Sequence, residues 1–176
     1  MHRKKILDLL ENYQTHDSNE SKMKSETIIF VKNNTDCFKR ELLIGHITGS
    51  AWIVDKLRQN VLLIHHRKLN QWFQPGGHCD GDSDVLKVAL KEAREETGLT
   101  NIMVLNSNIF DVDIHLIPER KQTPAHFHYD IRFIFEADLN EKLIISEESN
   151  ELAWIPIEKV IKYNDSDSIM RMVKKL

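Results

Sequence analysis

A pair of glycines followed by an amphipathic segment constrains the fold of this chain more than any other feature of its sequence. Small and apolar residues recur in the segment at the spacing of one helical face: Leu86, Ala89, Leu90, Ala93 and Thr97. This spacing predicts a helix with one buried stripe. Gly98 follows directly, and glycine commonly ends a helix because it adopts the left-handed conformation without strain. Asp82 or Ser83 is expected to cap the first turn.

The same segment places three glutamates near the C-terminal end of the predicted helix. Glu92, Glu95 and Glu96 lie at positions i, i+3 and i+4, so they form one acidic patch. Each like-charged pair costs roughly 0.2–0.5 kcal/mol, and the negative end of the helix dipole adds to the repulsion. A hard divalent cation takes oxygen ligands of this kind. The pattern therefore predicts a metal site, which the exposed backbone carbonyl group of Gly76 would complete.

The segment from Gly77 to Leu99 resembles the signature sequence of the Nudix hydrolases, G-x5-E-x7-R-E-U-x-E-E-x-G-U, in which U is aliphatic. The residues that match are Gly77, Glu92, Glu95, Glu96, Gly98 and Leu99, with Ala93 at the first aliphatic position. Ser83 replaces the first glutamate of the signature and Lys91 replaces its arginine. In the family these two residues pair and brace the loop against the helix. Here we expect Asp82 or Asp84 to pair with Lys91 instead.

The resemblance extends beyond the signature and implies a fold and a cofactor. Similarity to a bacterial branch of the family covers residues 45–52, 65–68, 74–78 and 126–130. It implies a Nudix-type α/β/α sandwich with a mixed sheet, and Mg²⁺ or Mn²⁺ as the cofactor. The implied metal ligands are Gly76, Glu92, Glu95 and Glu96, with Glu92 and Glu95 as catalytic residues.

A later acidic stretch, residues 147–151, is the second source of carboxylates. Family members often draw a catalytic group from this region, so Glu151 is a candidate metal ligand, and the general base is either Glu92 or one of these later carboxylates. The implied reaction is divalent-metal-dependent hydrolysis of a nucleoside diphosphate linked to another moiety. The ions would neutralise phosphate oxygens and activate a water molecule.

Two other functions are compatible with the same fold. An isomerase similar to isopentenyl diphosphate isomerase needs a catalytic cysteine in its own motif, whereas Cys79 lies inside the glycine loop. A Nudix module that binds nucleotides without turnover is the other alternative, and the changes at Ser83 and Lys91 are the features that favour it. Both alternatives remain open from sequence alone.

Strand and helix patterns alternate along the rest of the chain. Strands are predicted at residues 47–54, 61–65, 102–105, 109–116, 126–137 and 151–155, with helices at about 156–163 and 166–173. Such alternation predicts a layered α/β/α fold. We divide the chain into an N-terminal helical extension, residues 1–42, and a Nudix domain, residues 43–176. The short N-terminal helices need a surface to pack on, either this domain or the second copy in a homodimer.

The predicted strand 126–137 has one polar face. His126, His128, Asp130 and Arg132 alternate there with aromatic and aliphatic residues. This face is either the wall of a substrate cleft or a solvated outer face, which is common in antiparallel sheets. A third alternative is a structural zinc site formed by His126 and His128 with His78 or Cys79.

Three further residues near the glycine loop are candidates for substrate binding. Arg67 and His78 offer polar or basic groups to phosphates, and Trp72 offers a ring that stacks on a base. The alternatives are a solvated turn for Arg67 and a core position for Trp72.

Composition excludes several classes of partner. The chain has 176 residues and a formal net charge of −3, so no basic face favours binding to a nucleic-acid polymer. No apolar run approaches the roughly 20 residues that span a membrane. Two cysteines, Cys37 and Cys79, form no CxxC pattern. We therefore expect a cytoplasmic protein whose partner is a small nucleotide-type substrate.

Overall fold

The computed structural model describes residues 2–120 and 123–176, and its strands form one mixed sheet. The strands are β1 Gly45–Val54, β2 Asn60–His66, β3 Gln71–Phe73, β4 Gly76–His78, β5 Met103–Val104, β6 Asp111–Ile117, β7 His126–Glu136 and β8 Ser149–Pro156. The helices are α1 Lys4–Asn12, α2 Ser18–Asn33, α3 Val85–Thr97 and α4 Asp167–Lys174, with a 3₁₀ helix at Ile157–Lys162.

The two longest strands, β1 and β7, lie parallel at the centre of the sheet and pair over ten positions, from Gly45 opposite Phe127 to Val54 opposite Glu136. All other pairings between strands are antiparallel. On the side away from β7, β1 pairs with β2 and β4. On the side away from β1, β7 pairs with β5 and β6. Strands β3 and β4 have three residues each and are absent from the sequence prediction, because so short a strand shows no period.

Helices cover both faces of the sheet, so the predicted α/β/α sandwich is confirmed. One buried cluster joins Ala51 and Phe133 to α1, α2 and α3. A second cluster joins Trp52 and Leu63 to the 3₁₀ helix and α4. The two clusters separate because successive side chains of a strand point to opposite faces.

Helix α3 is the predicted amphipathic helix, with a different residue at its start. The side chain of Asp84 accepts a hydrogen bond from the backbone N–H of Lys87, so Asp84 is the cap and the expectation of Asp82 or Ser83 is wrong. Asp82 instead accepts from the backbone N–H of Asp84 at 2.9 Å. Gly98 ends the helix with φ of +74°, as predicted.

The N-terminal helices pack on the sheet through both apolar and ionic contacts. Ile6 and Phe30 belong to the cluster that also contains α3. The fully buried Glu20 accepts hydrogen bonds from the hydroxyl of Tyr13 at 2.6 Å and from the backbone N–H of Val112 in β6 at 2.9 Å. The division at residue 42 stays a prediction. Over the described ranges, no helix is long and apolar enough to span a membrane.

Candidate active site

The glycine loop and the glutamates of α3 lie in direct contact. A Cβ atom on Gly77 would lie 2.5 Å from Cδ of Glu92, so glycine is needed to leave room for this carboxylate. The backbone N–H of Gly76 donates a hydrogen bond to Oε2 of Glu96 at 2.8 Å. Pairing of β4 with β1 holds both glycines in place. The missing side chain of Gly77 therefore leaves room for the carboxylate of Glu92, and the backbone of Gly76 holds that of Glu96.

The surroundings of Glu96 and Glu92 oppose their negative charge. Glu96 is 9% exposed, and burial, with the charges of Glu92, Glu148 and Glu95, raises its pKa to about 7. Burial also raises the pKa of Glu92, although the neighbouring Lys91 lowers it. A divalent cation would offset both the burial and the repulsion, and the available donors are the oxygens that such ions prefer. These residues therefore fit the predicted cation.

Glu95 and Lys91 lie at the outer side of this patch. The side chain of Glu95 is 58% exposed, and the Lys91 ammonium lies 3.2 Å from its carboxylate and 3.3 Å from that of Glu92. Across residues 2–120 and 123–176, the group of potential metal ligands whose ligand atoms converge is formed by histidines, and Glu92, Glu95 and Glu96 do not form such a group. Binding of one ion by all three would therefore require Glu95 and Lys91 to change rotamer.

The brace expected between Lys91 and Asp82 or Asp84 is wrong. Lys91 lies one helical turn before Glu95 and pairs with Glu95 and Glu92 instead of Asp82 or Asp84. Lys87, one turn closer to the start of the helix, lies 3.0 Å from Asp82. A lysine of α1, Lys5, lies 2.7 Å from Asp84. These pairs are partly exposed, so each contributes at most about 1 kcal/mol.

In the later acidic stretch, Glu148 is the residue whose charge acts on the site. It raises the pKa of Glu96, and it also acts on His78. Glu151 lies opposite His65 in the pairing of β8 with β2. Its side chain therefore points to the face covered by α4, away from the face on which α3 packs. A metal contact by Glu151 stays a prediction.

Arg67 positions the segment that carries Glu148. Its backbone N–H donates to the carbonyl of Glu148 at 2.9 Å, and its guanidinium donates to the carbonyl of Ser149 at 3.1 Å. A weaker contact of 3.4 Å joins Nε to the side chain of Asn150. These bonds occupy much of the guanidinium, so phosphate binding by Arg67 stays a prediction beside this positioning role.

Trp72 belongs to a partly exposed aromatic group. Its ring stacks on that of His65, with centroids 5.1 Å apart and an interplanar angle of 19°. The ring of Tyr163 meets it edge-on at 5.4 Å. This group lies next to the glycine loop, because β3 precedes it by two residues. Trp72 lies opposite His65 in the pairing of β3 with β2 and packs against the cluster on the α4 face of the sheet, so stacking on a base stays a prediction.

The structure places the predicted His126, His128 and His78 in a cluster with a further residue, His46. The Nδ1 atom of His126 donates to the carbonyl of Pro124 at 2.9 Å. Three ligand nitrogens, one each from His46, His78 and His128, lie within 4.8 Å of one another. The zinc alternative named His126 and His128 with His78 or Cys79. The converging group contains His128 and His78, and it has His46 in place of His126.

Asp130 and Arg132 are buried in an ionic network. The Arg132 side chain is 4% exposed and lies 2.8 Å from Asp130, 3.1 Å from Asp111 and 3.3 Å from Asp113. Asp111 also accepts two hydrogen bonds of 2.8 Å from Arg171 in α4. This excludes a solvated outer face at these two positions. Substrate binding by Asp130 and Arg132 is untested, and we leave both out of the proposed site because their polar groups are already paired.

Cys79 has the properties of a core residue. It is 4% exposed and packs in the cluster shared with α3. Burial, with the nearby charge of Asp130, raises the pKa of its thiol well above the ordinary value. A thiol that stays protonated is a poor nucleophile.

Comparison with known proteins gives matches by sequence and by structure. The model of the NUDIX domain matches residues 46–175. The asymmetrical bis(5'-nucleosyl)-tetraphosphatase of Mus musculus is 27% identical over 97 residues, which cover 54% of this chain and 59% of the mouse protein. The chain thus aligns with less than two-thirds of that relative.

Solved structures share the fold at lower identity. A C. elegans Ap4A hydrolase in a binary complex superposes with a TM-score of 0.59 and 18% identity, covering 73% of this chain and 93% of that one. The MutT protein from Methanosarcina mazei Go1 superposes with a TM-score of 0.57 and 19% identity, covering 74% and 91%.

Proposed function

This chain belongs to the Nudix family, and from that premise we propose that it is a divalent-metal-dependent pyrophosphohydrolase. Its substrate is a nucleoside diphosphate linked to another moiety, and the bond cleaved is a phosphoric anhydride. The observation that carries this proposal is the buried Glu96, whose pKa of about 7 reflects a carboxylate short of positive charge beside Glu92. The names of the mouse and nematode relatives, both hydrolases of dinucleoside polyphosphates, support a nucleotide substrate.

The residues proposed to hold Mg²⁺ or Mn²⁺ are Glu92, Glu95, Glu96 and the carbonyl of Gly76. When bound, the ion would neutralise phosphate oxygens and polarise the attacking water. Gly77 keeps the space in which the Glu92 carboxylate lies. The hydrogen bond from Gly76 orients Glu96 toward the loop.

The chain itself would supply the base and the substrate contacts. The oxygen of a water molecule forms a bond to phosphorus, the bond from phosphorus to the bridging oxygen breaks, and the leaving phosphate takes the electron pair. The water proton passes to a carboxylate, for which Glu92, Glu95 and Glu148 are the candidates. Trp72 would stack on the base, and His78, which belongs to the histidine cluster, lies in the short strand that carries the two glycines.

Two observations bear on the alternatives. The buried, protonated thiol of Cys79 argues against isomerase chemistry that depends on a cysteine. The site keeps all three signature glutamates, which argues against a module that has lost turnover. We therefore retain hydrolysis as the proposal.

The test is incubation of the full chain with Mg²⁺ or Mn²⁺, a panel of nucleotide diphosphate derivatives and ¹⁸O-labelled water. We expect one product phosphate to carry the label, and loss of at least two orders of magnitude of turnover in Glu95→Gln and Glu96→Gln. Glu158→Gln, an exposed glutamate on the 3₁₀ helix, is the matched control and should keep full activity. Unlabelled rearranged products would indicate isomerisation, and binding without turnover across the panel would indicate the module.

A further inference from the structure

Three histidines from three neighbouring strands form a compact cluster on the face of the sheet opposite α3. His46 of β1 lies opposite His128 of β7, and His78 of β4 lies opposite the next inward-facing residue of β1, Thr48. The centroids of the three rings are separated by 4.8, 5.0 and 5.0 Å. Among the histidine, cysteine and acidic side chains of the described ranges, these three histidines are the group whose ligand atoms converge. The three ligand atoms lie within 4.8 Å of one another.

Three ring nitrogens of this cluster have no hydrogen bond of good geometry among the described residues. His46 is 2% exposed, and the backbone of Leu42 acts on its ring without forming such a bond to either nitrogen. The buried Nε2 of His128 is also unpaired. Buried polar atoms are almost always satisfied in folded proteins, so unpaired nitrogens on two neighbouring rings call for an explanation.

The ring arrangement is close to that of a tetrahedral ion with three imidazole ligands. At a metal–nitrogen distance of about 2.0–2.1 Å, the nitrogens lie about 3.3 Å apart and the ring centroids about 5 Å apart. The observed centroid separations already meet this condition. Small side-chain rotations would therefore bring the nitrogens from within 4.8 Å to bonding positions, because the strands hold the rings at the required spacing.

We propose that His46, His78 and His128 bind a transition-metal ion of the zinc class, at a site separate from the glutamates of α3. Imidazole nitrogen suits Zn²⁺, Co²⁺ or Ni²⁺, whereas Mg²⁺ prefers oxygen. Three protein ligands leave one coordination position for water or another ligand.

The same rings are poorly suited to bind an anion. Burial, with the charges of neighbouring histidines, lowers the pKa of His46 to about 4 and that of His128 to about 2. Neutral imidazole is the form that binds a metal ion. A phosphate-binding site would instead need protonated rings.

The experiment uses the full chain, stripped with a chelator, dialysed and then titrated with Zn²⁺. We expect one bound zinc per chain by elemental analysis and a higher melting temperature with zinc. Replacement by Co²⁺ should give a visible absorption band of a tetrahedral site. His46→Phe and His128→Phe should weaken zinc binding at least about 100-fold, since loss of even an outer-shell partner costs 10–100-fold.

Two matched variants distinguish this site from others. His16→Gln removes an exposed histidine of the N-terminal region, and Glu96→Gln alters the proposed magnesium site. Both should bind zinc as the wild type does, so failure of the hydrolase proposal leaves this test intact. The phenylalanine variants should fold at least as well as wild type without metal, because they remove unpaired buried nitrogens.

Three results would overturn the proposal: no zinc uptake by the wild type, unchanged uptake by His46→Phe and His128→Phe, or loss of uptake in Glu96→Gln. If neither phenylalanine variant folds, X-ray absorption of the zinc-loaded wild type decides the matter. A first shell with three imidazoles supports the site, and a shell of oxygens refutes it.

Discussion

Replacement of Glu96 by glutamine is expected to stabilise the metal-free protein at alkaline pH while it removes activity. In the folded state the pKa of Glu96 rises from 4.5 to about 7, because the carboxyl group is buried among other carboxylates. A tenfold change in proton affinity is worth about 1.4 kcal/mol, so the ionised group costs the folded state up to about 3 kcal/mol. Glutamine keeps an oxygen that accepts the hydrogen bond from Gly76 and carries no charge.

The sign of the effect follows from proton binding. Between pH 4.5 and 7 the folded state binds more protons at this position than the unfolded state, so the free energy of unfolding falls as pH rises. Glu96→Gln removes this fall. The variant should match wild type near pH 4.5 and exceed it by about 2–3 kcal/mol at pH 8. For a domain of this size, that equals a rise in melting temperature of roughly 4–12 °C.

The assay is urea unfolding of both proteins in the presence of a chelator at pH 5, 6, 7 and 8. Glu95→Gln is the control, because the exposed Glu95 should change stability by less than about 1 kcal/mol at any of these pH values. Equal or lower stability of Glu96→Gln at pH 8 would refute the inference that Glu96 is a buried, uncompensated charge. Added Mg²⁺ should narrow the difference at pH 8 by stabilising the wild type alone.

Three further substitutions test other parts of the structure. Gly77→Ala should lower kcat at least about tenfold while the fold is retained, as measured by steady-state kinetics at saturating Mg²⁺. The added methyl group displaces the carboxylate of Glu92, and a small misplacement of a catalytic group is costly. Arg132→Ala should destabilise by about 3–5 kcal/mol in thermal or urea unfolding, because it strands buried carboxylates; a change in KM with unchanged stability would restore the substrate-wall interpretation. Trp72→Ala should raise KM for a nucleotide substrate about 5- to 100-fold, with Trp72→Phe in between, and an unchanged KM would exclude stacking.

The polar face of β7 has different surroundings along its length, with an ionic network beside the histidine cluster. In the middle of β7, Arg132 pairs with Asp130 and with Asp111, and Arg171 of α4 also pairs with Asp111. Near its start, His128 meets His46, and both have ring nitrogens without a hydrogen bond among the described residues. The ion pairs under α4 stabilise the fold. The histidines at the start of β7 have unpaired nitrogens, which a ligand site requires.

The N-terminal helices also take part in this network. The Lys175 ammonium at the end of the chain lies 2.6 Å from Glu20 of α2 and donates to the hydroxyl of Tyr13 at 2.9 Å. Both ends of the chain therefore meet at β6, where the backbone N–H of Val112 donates to the same glutamate. This packing gives the short helices the surface that they need, because helices of this length are marginal when isolated.

The sequence by itself determined most of the longer elements and which glutamates share the proposed metal site. Helix α3, its end at Gly98 and the grouping of Glu92 with Glu96 follow from a 3.6-residue period and a glycine, which are local properties of the chain. The alternation along β7 likewise predicted which residues share its polar face. These inferences hold because each depends on residues that are neighbours along one element.

Tertiary structure alone decided which residues meet across elements. His46 joins His78 and His128 only through the pairing of β1 with β4 and β7, although the period of β1 places it on the same face as Thr48. Sequence periodicity states which face of a strand a residue occupies, and the register between strands far apart in the chain states what it faces. For the same reason, the sequence of β7 does not show that Arg132 is a buried ion-pair partner, because its burial depends on the packing of α4 over the sheet.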